Sequence, residues 1–118
     1  MTREGFNAYC AGFPGATHVV QWGNADVWKV GGKVFAIGGW AEGRDAFTFK
    51  VSDLAFEVLT DRPGIRPAPY MASRGLKWVQ HHAAPGLPEP ELRDHIAASY
   101  DMIAAKLPRR TRKELGMD

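Results

Sequence analysis

Hydrophobic and polar positions along the chain switch between two periods. Near the start, Phe6, Tyr9 and Cys10 recur at i, i+3 and i+4, the spacing that gathers side chains on one face of a helix. Thr2 stands where an N-cap is wanted, and Gly12, Pro14 and Gly15 break the pattern. From Thr17 to Trp22 the chain is rich in β-branched and aromatic residues, and it then meets the turn pair Gly23-Asn24. Two further strand-like runs, Asp26 to Val30 and Lys33 to Ile37, are separated by Gly31-Gly32. Both glycines tolerate a positive φ, so a tight hairpin is predicted, with Val30 opposite Lys33, Lys29 opposite Val34 and Trp28 opposite Phe35. Alternation puts Trp28, Val30, Phe35 and Ile37 on one face, the core side. Lys33 then lies at the rim near the turn, and Lys29 points the other way.

Gly38-Gly39 and a polar loop over 41–45 lead to Phe47, Phe49 and Val51, which alternate with Thr48 and Lys50. That alternation predicts a half-buried antiparallel strand. Ser52 or Asp53 caps a helix through about Thr60, with Leu54, Val58 and Leu59 inward and Phe56 at a margin. The Pro-rich stretch 62–69 reads as an irregular connection. Leu76 to His81 reads as a further strand. The last helix is the clearest element. Pro90 between Glu89 and Glu91 suits a helix start, and Leu92, Ile96, Ser99, Ile103 and Leu107 recur at helical spacing, flanked by Tyr100. Lys106 falls in the last turn and Pro108 ends it. The order helix, four strands, helix, strand, helix predicts an α+β fold in which an antiparallel sheet is covered by helices on one face.

The chain has 118 residues, 45% hydrophobic and 24% charged, which fits a single globular domain over 1–118. Cys10 is the sole cysteine, so no internal disulfide forms and a reducing, cytoplasmic setting is expected. The first residues lack a signal-peptide pattern, and no apolar run reaches the ~20 residues of a bilayer span, so no membrane partner is expected. The net charge of +2 is unevenly spread. Residues 106–113 hold five basic residues and no acid, whereas residues 1–105 hold ten basic and eleven acidic ones. The basic character therefore belongs to the tail, 106–118, and a basic end attracts polyanions.

Pro14-Gly15-Ala16-Thr17, Trp22-Gly23 and the run from Val27 to Ala36 resemble the N-terminal signature of MmcQ/YjbR proteins. Arg62-Pro63-Gly64-Ile65, Pro67-Ala68, Tyr70-Met71, Lys77-Trp78-Val79, Ser99-Tyr100 and Lys106-Leu107-Pro108 follow in that family's order and spacing. The resemblance covers nearly the whole chain. It implies a compact α+β arrangement, called a double wing or compared with frataxin-like proteins, and a DNA-binding role commonly ascribed to that shape. The first helix holds only Glu4 as an acid, so iron binding is not carried over.

DNA binding needs cations for phosphates. The available cations are the tail group and, on or near strands, Lys29, Lys33, Lys50, Arg74 and Lys77; of these, Lys29, Lys33, Lys77, Arg109, Arg110, Arg112 and Lys113 are expected to supply the contacts. The alternative is a small anionic ligand or a protein partner seated where Lys29, Lys33 and Lys77 meet the sheet. No metal is expected: His81 and His82 are adjacent and point to opposite faces of a strand, and His18 and His95 lie on other elements. No cofactor loop is expected, because neither Gly31-Gly32 nor Gly38-Gly39 opens a helix. Cys10 reads as a small buried hydrophobe. Ser99 reads as bonding back along its helix and Tyr100 as closing the core. No acid/base pair emerges, so a non-catalytic protein is expected. Of four tryptophans, Trp28 and Trp78 are expected in the core, and Trp40 is the one expected to be exposed for stacking on bases.

Overall fold

The computed structural model describes residues 1–40, 45–71 and 74–117. The polar loop expected over 41–45 lies outside them apart from Asp45. Helix α1 (Arg3–Ala11) is followed by β1 (Ala16–Gln21), β2 (Ala25–Val30), β3 (Lys33–Gly38) and β4 (Phe47–Lys50), then α2 (Asp53–Thr60), β5 (Ile65–Pro67), β6 (Trp78–His81), α3 (Glu89–Ala105) and α4 (Arg109–Glu114). The strands form one antiparallel sheet in the order β1-β2-β3-β4-β6-β5. The α+β class and the antiparallel sheet are as the periodicity predicts. Two elements are additional: β5 lies inside the Pro-rich stretch, and α4 lies in the basic tail.

Local chemistry explains the helix boundaries. Thr2 Oγ1 accepts from Gly5 N at 3.0 Å and Ser52 Oγ from Ala55 N at 3.1 Å, so each cap satisfies an amide the helix cannot. The main core fills one face of the sheet. Phe6 and Cys10 from α1, Leu59 from α2, and Leu92, Ile96 and Tyr100 from α3 pack against Trp28, Val30, Phe35, Phe47, Phe49 and Val79. The orientation of α2 differs from expectation. Leu59 is buried and Ala55 and Phe56 pack on the core, whereas Leu54 is 75% and Val58 56% exposed. Phe56 and Leu59 carry the larger combined apolar surface, and their stripe turns inward.

The hairpin pairs Val30 with Lys33 and Lys29 with Val34 as predicted, but Trp28 faces Ala36, not Phe35. Phe35 is an extra residue, a bulge that resets the alternation beyond it. Ile37 consequently joins Val27 and Ala25 in a second cluster on the opposite face. Beside them lies a buried polar pair: Gln80 Nε2 donates to Thr48 Oγ1 at 3.2 Å, and Arg66 Nε and a terminal nitrogen donate to Gln80 Oε1 at 2.9 and 2.6 Å.

Ser99 serves the bulge and does not bond back along its helix. Its hydroxyl donates to Phe35 O at 2.7 Å and accepts from Lys50 N at 2.9 Å. The β3–β4 ladder stops at the Ala36–Phe49 pair, and one hydroxyl bridges the two backbone groups just beyond it. Ser99→Ala is expected to cost roughly 2–4 kcal/mol, since each orphaned buried group costs about 1–3. Urea unfolding of the variant checks this. Tyr100 does close the core: it stacks on Phe13 at 4.6 Å, meets Phe35 edge-on at 5.2 Å and donates its hydroxyl to Pro14 O.

Candidate nucleic-acid interface

The Gly31-Gly32 turn marks one end of the sheet. Lys33 opens β3 there, and Lys29 sits one residue back from Val30, paired with Thr17 and Val34. Strand β4 runs toward the same end and finishes at Lys50, opposite Trp78. Lys77 precedes Trp78, and its carbonyl accepts from Val51 N at 3.0 Å. Helix α3 also finishes there: burial first, and then the charge of Lys106, lowers the pKa of Lys50 from its ordinary value, with Asp53 opposing.

Helix α4 is held against this end. Gly31 has φ 58, and a Cβ on it would lie 2.7 Å from both Leu107 methyl carbons. Leu107 thus rests on the hairpin turn, in space that exists because position 31 has no side chain. Leu115 packs on the main core and lies against Gly15, next to the start of β1. The helix between these two leucines carries Arg109, Arg110, Arg112 and Lys113. The seven predicted site residues therefore lie at one end of the sheet, on or beside strand ends and on α4, with Lys33 on the helix-covered face and Lys29 on the opposite one, as the alternation predicts. Lys50 and Lys106, outside that set, join them. Lys50 is countable among the strand cations in sequence, and the sheet register is what places it at this end. Lys33, Arg109, Arg110 and Lys113 are exposed and Lys29, Lys77 and Arg112 half-buried. Lys77 differs from the rest in holding its ammonium 4.7 Å from the Phe56 ring centre, a cation–π contact that directs it toward α2. The acid on α4, Glu114, lies 3.8 Å from Arg110 in an exposed i,i+4 pair, which stabilises weakly.

A second polar cluster lies where α1 meets β1 and β2, and no sequence spacing announced it. Asp26 accepts from Arg3 Nε at 2.7 Å, from Asn7 Nδ2 at 3.1 Å and bonds His18 Nε2 at 2.7 Å; Trp28 Nε1 donates to Asn7 Oδ1 at 2.9 Å. Burial acts to raise the Asp26 pKa, but the hydrogen bonds from Asn7, His18 and Arg3, with the Arg3 charge, outweigh it and hold the carboxyl below its ordinary 3.8. A depressed carboxyl adds stability above its unfolded pKa and loses it as pH falls through the folded one. Asp26→Asn is therefore expected to destabilise at neutral pH and to flatten the stability curve below about pH 4. Denaturant unfolding across the acid range checks the sign.

Cys10 is fully buried, which pushes its thiol pKa up and disfavours the reactive thiolate. Among the described residues no group of three or more His, Cys, Asp or Glu could hold a metal ion. No helix among the described residues is long and apolar enough to cross a membrane.

The YjbR family model matches residues 11–102, the span from the end of α1 through most of α3. The chain belongs to the YjbR family. Two crystal structures show the same YjbR-like fold. The Deinococcus radiodurans protein DR2400 is 21% identical and aligns over 99% of this chain and 89% of its own, with a TM-score of 0.85. A Pseudomonas syringae protein, also 21% identical, aligns over 87% of this chain and 99% of its own, with a TM-score of 0.70. At that identity the likeness concerns the fold. No curated protein matches the sequence. The YjbR match stops before α4, so the helix that carries four of the cations lies beyond the matched span.

Proposed function

We propose that this YjbR-family protein binds nucleic acid, DNA in the first instance, by laying phosphates against the basic end of its sheet. One observation carries the reading: cations far apart in sequence, Lys29, Lys33 and Lys50 on strands and Arg109, Arg110, Arg112 and Lys113 on α4, are brought to a single end by the strand register and the docking of Leu107 and Leu115. Clustered positive charge supplies the sequence-independent part of nucleic-acid affinity. Lys77 contributes less directly, because Phe56 engages it. The reading assigns no catalytic residue.

The test is binding of a labelled DNA duplex and a single strand at about 50 mM salt, followed by titration to about 200 mM. Steep weakening with salt is the expected result, because phosphate contacts release counterions. No detectable binding of either form at low salt would sink the proposal. A small-anion reading has one observation in its favour, a cavity of about 250 Å³ with Lys50, Ser52 and His95 on its walls. Thermal stabilisation by inorganic phosphate without any DNA binding would put that reading in its place.

A further inference from the structure

Three aromatic side chains from three separate connections meet at the far end of the sheet from the cations. Trp22 follows β1 and Trp40 follows β3 at that end, while Tyr70, in the connection that leaves β5 toward the other end, brings its ring back to Trp40. The rings of Trp22 and Trp40 are 5.4 Å apart at 37°, and those of Trp40 and Tyr70 are 5.9 Å apart at 69°. Together they line a cavity of about 390 Å³. Trp40, expected as the exposed tryptophan, is half-buried against the Val27–Ile37 cluster; Trp22 is 47% and Tyr70 78% exposed. All three sit on left-handed backbone, with φ of 53°, 70° and 69°. Large aromatic residues seldom adopt that conformation, and such strain concentrates at ligand clamps. Trp28 and Trp78, by contrast, are buried as expected.

We infer that this aromatic cup stacks a base of single-stranded nucleic acid. The inference rests on the nucleic-acid reading above and narrows its substrate. Among the described residues, the three side chains that line the cup carry no charge, a lining that suits the flat face of an aromatic ring. The rings lie too close together for a flat molecule to slide between them, so a planar ring would lie against the exposed Trp22 and Tyr70 from outside. Every base has a π face to offer, and aromatic platforms joined to basic surface are how proteins hold single strands. A duplex keeps those faces inside its stack. The route between the two features is the exposed lane of β1. Thr17 lies beside Lys29 at the basic end, Val19 is exposed midway, and Trp22 follows at the cup, a run of roughly 17 Å at strand rise. On the same face, directly before Trp22, Gln21 holds a buried side-chain oxygen with no partner among the described residues.

The test compares oligothymidine with a duplex of equal length by tryptophan quenching and by anisotropy, using the wild type, Trp22→Gly, Tyr70→Gly and Trp22→Phe. Glycine suits the left-handed backbone, so the two glycine variants keep the fold, which thermal melting verifies. The single strand is expected to bind more tightly than the duplex and to quench tryptophan fluorescence. Each glycine variant is expected to lose roughly ten-fold or more of single-strand affinity with little change toward duplex, and Trp22→Phe retains most of it. Equal affinity for both forms, with glycine variants indistinguishable from wild type, overturns the cup while leaving the phosphate reading standing. Absence of binding to either form overturns both.

Discussion

Phe35→Ala is expected to remove about 3–5 kcal/mol of stability, the range for deleting a fully buried phenylalanine. Against a total of about 5–15 kcal/mol, that is enough to leave a sizeable unfolded fraction under mild heating. Phe35 has no exposed surface and meets Phe13 and Tyr100 edge-on at 5.7 and 5.2 Å. It is also the bulge residue, whose carbonyl is held by Ser99. The ring therefore anchors strand, helix α3 and the 12–15 turn together. The urea midpoint should fall with little change in the slope m, because the denatured chain is hardly altered. A loss under about 1 kcal/mol would mean that neighbouring side chains collapse into the space. Since Phe35 and Ser99 share the bulge, the double variant with Ser99→Ala should lose less than the two single losses combined.

Replacing Arg109, Arg110, Arg112 and Lys113 together by Ala is expected to be the most damaging change to nucleic-acid binding. Each cation that touches a phosphate contributes about one unit to the slope of log affinity against log salt. The variant's slope should drop by up to about 4, and its affinity at about 50 mM salt by roughly two orders of magnitude. Alanine has the highest helix propensity, and Leu107 and Leu115 remain to hold the element in place, so the melting temperature should stay within a few degrees. An unchanged salt slope would show that α4 is not where phosphates lie, whatever the wild type binds.

The sequence made some of this legible and concealed the rest for physical reasons. The Gly31-Gly32 hairpin, the Thr2 and Ser52 caps and the α3 stripe were readable because each is a local pattern with a local cause. The bulge was not. Phe35 looks like any strand residue, and its displacement is defined by what pairs across from it. Strand β5 is three residues long and ends at Pro67, a segment whose prolines argue for a loop. Helix α2 offered two overlapping apolar stripes, and only packing at the β5–β6 edge selected the Phe56–Leu59 one. The cations of the candidate site were countable in sequence. Their convergence was not, since Lys50 and Lys77 reach the basic end only through the register of β4 and β6. The aromatic cup was hidden for the same reason: Trp22, Trp40 and Tyr70 belong to three different connections.

The two rims of the sheet are unlike each other. β5 is short, finishes in a proline and carries Arg66, features that blunt an edge. β1 is six residues long, with its four central positions exposed, and offers an open row of amides and carbonyls. Any β-addition by a second copy of this chain falls to β1. Two such rims meeting across a two-fold axis would use each other up, giving a twelve-stranded sheet that ends in β5 on both sides. Self-association by this route is self-limiting: it stops at a pair and does not grow into a fibre.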